Sequence, residues 1–187
     1  HEPCGPEVVR GIKKILPATR IVVFAHRMNL VTSATMRFGH LETRRERSEH
    51  LAHIRQVQSE KKEEAYGFVS FIPWPFMDEG TVLREKMGIR NRTDARTYIR
   101  TLAMARVLLN NIHHIQASWL TVGKSTGQVC LHAGANDFGS TMIEENVVAA
   151  AGVRFRLSES EMIRLIETAG YRAVRRDCFY HHLEEHA

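Results

Sequence analysis

Three short runs rich in β-branched and apolar residues, at 31–36, 67–72 and 115–120, recur along the chain, and a helix-patterned stretch separates each from the next. Strands held apart by helices cannot pair as tight hairpins. They need crossovers, so the pattern predicts βα units and a parallel sheet. Three clear strands within 187 residues are too few for a closed eight-stranded barrel, which usually takes about 250 residues.

The helices carry stronger signals than the strands. Thr43 precedes Glu46 by three residues, a capping box, and Leu51, Ile54 and Val57 then form one apolar face, predicting a helix over 43–59. Thr93 or Asp94 caps a second helix bearing Ile99, Leu102, Ala103, Val107 and Leu108. Ser158 and Glu161 make another capping box, followed by Met162, Ile163, Leu165 and Ile166, with Gly170 as the C′ residue. Residues 125–133 predict a short helix ending at Gly134, and 142–151 another ending at Gly152. Residues 8–16 read as a helix stopped by Pro17, and 21–24 as either strand or helix. The second strand is expected to end at Pro73-Trp74-Pro75, with a long loop over 78–92, a turn-rich loop over 135–139, an extended closing segment over 171–175 and frayed residues from 181 onward.

Composition narrows the function classes. Hydrophobic residues make up 43% and charged residues 25%, as in a globular domain. No apolar run reaches the roughly 20 residues of a membrane span, the first residues do not resemble a signal peptide, and a cytoplasmic setting is expected. The formal charge of +5 is spread over Arg44, Arg45, Arg47, Lys61, Lys62 and the 84–100 stretch, with acidic residues between them. No aromatic-rich basic motif accompanies it, so nucleic acid is not an expected partner. Three cysteines, Cys4, Cys130 and Cys178, form no C-x-x-C pair and no C-x-x-x-C-x-x-C triplet. The 11 histidines lack metal-site spacing; His50 and His53 are three apart on one helix, and surface positions are expected for them. No metal site is therefore predicted. No G-x-G-x-x-G or P-loop occurs, and no nucleophile triad is expected.

In a parallel βα sheet, functional side chains gather beyond the C-terminal ends of the strands. Three places qualify: 37–43, 73–76, and 119–124 with the following 134–137 loop. His40 and Glu42 can hydrogen-bond a ribose or move a proton; the plainer alternative is a loop histidine beside a carboxylate at a helix start. Trp74 and Phe76 can wall a flat ligand or simply pack. Asn136 and Asp137 can bind ligand hydroxyls or cap a helix. The catalytic base stays unassigned.

These same loops carry a family resemblance. The run Thr32-Ser33-Ala34-Thr35-Met36-Arg37-Phe38-Gly39-His40-Leu41-Glu42-Thr43 resembles the fifth-strand motif of dehypoxanthine futalosine cyclases, radical S-adenosylmethionine (SAM) enzymes of menaquinone biosynthesis. Phe71-Ile72-Pro73-Trp74-Pro75-Phe76 is similar to their sixth strand, and Ile115-Gln116-Ala117-Ser118-Trp119 to their seventh. The longest match runs from His132 through Gly134-Ala135-Asn136-Asp137 and Glu144-Glu145-Asn146 to Gly152. Aminofutalosine synthases and deazaflavin-cofactor synthase subunits share it in outline; the Pro-Trp-Pro-Phe and Gln-Ala-Ser-Trp combination favours the cyclase. Arg37 stands where the family usually has Met, and Met77 where Gln is common.

The resemblance implies a fold: the C-terminal βα half of a radical SAM barrel over 1–120, with an α+β family region over 121–187. It implies a [4Fe–4S] cluster and SAM in the full-length family, neither held by this chain alone, and dehypoxanthine futalosine as the small-molecule substrate. It implies His40, Glu42, Trp74, Phe76, Trp119, Asn136, Asp137, Glu144 and Glu145 as substrate- or SAM-binding candidates. A chain of this kind is expected to be inactive by itself and to need the N-terminal half or a second copy. The alternatives are a non-catalytic βα module binding a nucleotide-like ligand, or a sister radical SAM enzyme, an aminofutalosine synthase or a deazaflavin-cofactor synthase subunit.

Overall fold

The computed structural model describes residues 16–140 and 157–183. The predicted helices over 8–16 and 142–151 lie largely or wholly outside the described residues. Ten elements follow in order: α1 Leu16–Arg27, β1 Thr32–Phe38, α2 Arg44–Ser59, β2 Phe68–Pro75, α3 Val82–Met87, α4 Ala95–Leu108, β3 His114–Ile115, α5 Trp119–Val122, α6 Lys124–His132 and α7 Glu159–Thr168. The three strands form one parallel sheet in the order β1-β2-β3, an α/β arrangement consistent with part of a βα barrel.

The cap predictions transfer directly, because a cap depends only on neighbours in sequence. Thr43 and Glu46 exchange both bonds of the capping box at α2, Asp94 rather than Thr93 caps α4, and Ser158 and Glu161 close the box at α7. Pro17 does not stop a helix; it sits in the first turn of α1, where its missing N–H costs nothing. Residues 21–24 are therefore helical. The expected loop over 78–92 contains α3, capped by Thr81 and ended by Gly88 in the left-handed region.

One face of the sheet is apolar and covered. Ala34, Met36 and Phe38 of β1, Phe71 of β2 and Ile115 of β3 are buried with Leu51, Ile54 and Val57 of α2 and with Tyr98, Leu102 and Ala105 of α4. The register pairs Ala34 with Phe71 and Met36 with Pro73, so alternate residues point the other way. Ser33, Thr35 and Arg37 are the exposed members of β1, and Trp74 lies opposite Arg37. This second face is polar and has no helix over it among the described residues.

The prolines do not end β2. The strand runs through Pro73 and Pro75 and pairs with β1 to its last residue, where Phe76 N–H donates to the Phe38 carbonyl at 2.7 Å. Pro73 and Pro75 follow Phe71 at even spacing, and the Phe71 carbonyl faces β3. Their missing N–H groups therefore lie on the flank where β3 has already stopped. The buried Tyr98 fills that gap: its hydroxyl donates to the Pro73 carbonyl at 3.0 Å and accepts from Ser118 N–H at 2.9 Å. Burial pushes its phenol pKa up, so it stays protonated.

The third strand is shorter than its sequence suggests. Only His114–Ile115 is strand, and the chain turns into α5 from Trp119. The 135–139 loop instead lies alongside it: Asp137 pairs with Gln116 in a parallel bridge, Asn136 N–H donates to Ile115 O, and Ala117 N–H donates to Asp137 O. The tail is not a strand over 171–175, and residues 181–183 are held rather than frayed, with Arg176 and His182 bridged and Leu183 N–H on Arg175 O.

Replacing Tyr98 by Phe should remove both bonds and leave two buried backbone groups without partners. A loss of roughly 1–3 kcal/mol is expected, read as a lower urea midpoint with unchanged m-value.

Candidate ligand-binding face

The C-terminal end of β1 runs into a turn that only glycine fits. Gly39 has φ of 95°, and a Cβ there would meet Thr93 Oγ1 at 1.9 Å. This close approach, with Arg92 N–H donating to the Gly39 carbonyl at 2.8 Å, clasps the loop after β1 to the segment leading into α4. Within the turn the Glu42 carboxylate accepts from Gly39 N–H at 2.6 Å and His40 N–H at 3.0 Å. Arg47 Nε donates to it at 2.8 Å, and its guanidinium lies 4.9 Å from the Phe38 ring centre. Burial alone would raise the Glu42 pKa, but the backbone donors and His40 outweigh it and leave the carboxyl below its ordinary value. His40 Nδ1 accepts from Leu41 N–H at 2.7 Å, and the ring meets Phe76 edge-on. Burial holds the His40 pKa below its usual value despite Glu42, helped by Arg37 and Arg47.

Asn136 and Asp137 are joined to the sheet in the same way. Asn136 Oδ1 accepts from Ile115 N–H and from Arg106, and its amide donates to His113 O. The buried Asp137 carboxylate takes a two-pronged pair from Arg176 at 3.1 and 2.8 Å and the Tyr180 hydroxyl at 2.9 Å. Arg176 stacks over the Tyr180 ring, which stacks in turn on His114 at 4.1 Å. The C-terminal strap thus covers the polar face at its β3 side. Burial pushes Tyr180 up to about 12, and burial with His113 pushes His114 down to about 4.

The sequence-derived candidates therefore separate. His40, Glu42 and Phe76 form one cluster at the end of β1 and β2, with Trp74 beside it on the polar face. Asn136 and Asp137 form a second, by β3. Trp119 is buried in the core against Gly127 and joins neither. Glu144 and Glu145 lie outside the described residues. Arg37 was noted from sequence only as a departure from the family's usual Met, and two further side chains of the polar face, His114 and Gln116, were not singled out. Only their place in the strand alternation marks them.

Two histidine expectations change. His26 is buried, with Nε2 2.8 Å from Thr32 Oγ1 and its ring edge-on to Phe68, tying α1 to the sheet. His50 is half-buried and hydrogen-bonds the Thr35 backbone. Gly123-Lys124-Ser125-Thr126-Gly127 does have G-x-S-x-G spacing, but Ser125 is exposed at the start of α6, after a helical turn instead of a strand, so no nucleophile elbow forms.

The residues matching the CofH/MqnC C-terminal region are 65–186. The chain belongs to the CofH/MqnC C-terminal family. It is 43% identical over 166 residues to the cyclic dehypoxanthine futalosine synthase of Streptomyces coelicolor, covering 89% of this chain and 40% of that protein. It is 38% identical to the aminodeoxyfutalosine synthase of Thermus thermophilus, covering 83% and 41%. It is 36% identical to the 5-amino-6-(D-ribitylamino)uracil–L-tyrosine 4-hydroxyphenyl transferase of Methanococcoides burtonii, covering 85% and 45%. The chain thus spans about two fifths of the length of these relatives.

The iron–sulfur cluster that the resemblance implies does not fit the cysteines described. Cys130 is buried in the core on α6, with its thiol pushed up to about 12 by burial, while Cys178 is exposed in the C-terminal strap. Cys4 lies outside the described residues. Among the described residues no three His, Cys, Asp or Glu side chains gather to hold a metal, and no helix is long and apolar enough to cross a membrane.

Two outcomes follow for this CofH/MqnC-type face. Because the folded Glu42 pKa lies below the unfolded value, its stabilisation is complete above pH 4.5 and fades as the pH falls through the folded value. Glu42→Gln should lower stability by roughly 1.5–3 kcal/mol at pH 7, and the gap from wild type should close in acid, as followed by thermal unfolding. In an NMR titration, His114 should stay neutral from pH 8 down to near its pKa of about 4.

Proposed function

We propose that the protein carrying this chain is a radical SAM cyclase that converts dehypoxanthine futalosine to its cyclic form in menaquinone biosynthesis, and that this chain supplies the substrate side of its barrel. The observation that carries the reading is the placement of the family's matched motifs. They fall at the ends of adjacent parallel strands, where the polar face of the sheet meets the Gly39–Glu42 turn and the Trp74–Phe76 wall.

In this reading, residues 1–120 are barrel units and 121–187 the family's C-terminal region, in a cytoplasmic enzyme. Ser33, Thr35 and Gln116 offer small polar groups to a nucleoside, and Trp74 a flat surface. Phe76 and His40 close the rim against water. Glu42 fixes the rim by holding two backbone N–H groups and Arg47. Asp137, held by Arg176 and Tyr180, fixes the edge nearest β3. The cluster and the SAM it works with are held by other parts of the protein, so this chain is inactive without them.

The test uses the full-length protein, reconstituted with iron and sulfide without oxygen and supplied with SAM and a reductant. Dehypoxanthine futalosine should be consumed and its cyclic product formed, while residues 1–187 alone give no turnover. Formation of aminodeoxyfutalosine, or transfer of a 4-hydroxyphenyl group from tyrosine, would instead assign the protein to one of the sister activities named among its relatives.

A further inference from the structure

Arg37 is the one residue of β1 whose charge points onto the polar face. It is exposed, it alternates with the buried Met36 and Phe38, and it lies opposite Trp74 in the β1–β2 register. Among the described residues, the two acids beside this face are engaged elsewhere. Glu42 is only 9% exposed and spends its oxygens on Gly39, His40 and Arg47. Asp137 is bound by Arg176 and Tyr180. Among the described residues, no hydrogen bond or ion pair is found for the Arg37 guanidinium, although its charge reaches far enough to depress the His40 pKa. Its strand neighbours on that face, Ser33 and Thr35, are small and exposed.

A guanidinium on the inside of a closed barrel is costly unless an anion meets it. Arginine's planar fork is suited to a carboxylate, which it can hold with two parallel bonds. We propose that Arg37 binds a carboxylate of the ligand held on this face, making it a specificity residue that the flat surface of Trp74 accompanies. This rests on the reading of the sheet as one side of an enclosed cyclase site. Two ligands carry such a group there: the nucleoside substrate, through its benzoate, and SAM, through its amino-acid end.

Equilibrium binding to the full-length protein and to its Arg37→Met and Arg37→Lys variants separates the cases. The probes are dehypoxanthine futalosine, its methyl ester, and SAM. If the benzoate is the partner, the wild-type protein prefers the acid over the ester by roughly 10- to 100-fold. Arg37→Met then loses that preference while keeping its affinity for the ester, which shows that the variant is folded, and Arg37→Lys retains part of it. If SAM is the partner, Arg37→Met loses SAM affinity by a similar factor and leaves the acid-to-ester ratio unchanged. Equal weakening of all three probes, or no change in any, overturns the assignment. A wild-type protein that binds neither the acid nor the ester overturns the cyclase reading instead. L-Tyrosine against its methyl ester, on the same three proteins, then decides the carboxylate question independently.

Discussion

The hydroxyl of Tyr98 holds together the part of the sheet that its own strands cannot. β2 continues past the end of β3, and its prolines have no N–H to offer on that flank. Sheet edges left in this state inside a protein carry unsatisfied carbonyls, each costly to bury. One phenol, buried on α4, accepts from the turn after β3 and donates to β2. The helix that covers the apolar face is thereby tied to β2 at Pro73, beside Trp74, while β1 holds the strand to its end through the Phe76 N–H.

A second constraint acts on the carboxylates. Glu42 and Asp137 stand beside the polar face, and each is bound by an arginine and by at least one backbone N–H. Their first effect is to rigidify loops, a requirement for any site that must hold a ligand at a fixed distance. It also removes negative charge from the face. Among the described residues, the charge of Arg37 is left unpaired there, which disposes the face toward anions.

Legibility followed the range of the interaction concerned. Three helix caps were readable, because Thr43 with Glu46, Asp94 with Thr97, and Ser158 with Glu161 are bonded within three residues. The extent of the strands was not. Proline normally marks a strand end, yet Pro73 and Pro75 are accommodated by Tyr98, more than 20 residues away in sequence. The 115–120 run has the composition of a strand, but Asn136 and Asp137 pair with its first residues and the rest turns into α5. Among the site residues, His40 and Glu42 were recognisable as neighbours in a loop. The involvement of Arg47, Arg176 and Tyr180 was not, because these arrive from a helix face and from a strap some 40 residues beyond Asp137 in sequence.

The sequence by itself determined the class of fold, since strands alternating with helices favour crossover connections and parallel pairing, and it determined the family through motifs that fall at strand ends. It also placed His40, Glu42, Trp74 and Phe76 near one another, because two parallel neighbours bring their C-terminal loops together. Only the tertiary structure decided which polar groups are free to meet a ligand. Glu42 and Asp137 look available in a linear reading and are internally bonded, Trp119 looks like a rim residue and is core, and Arg37, in sequence only a departure from the family's Met, faces the open side of the sheet. The physical reason is that hydrogen-bond satisfaction and burial are properties of three-dimensional neighbours, whereas composition and periodicity record only the chain.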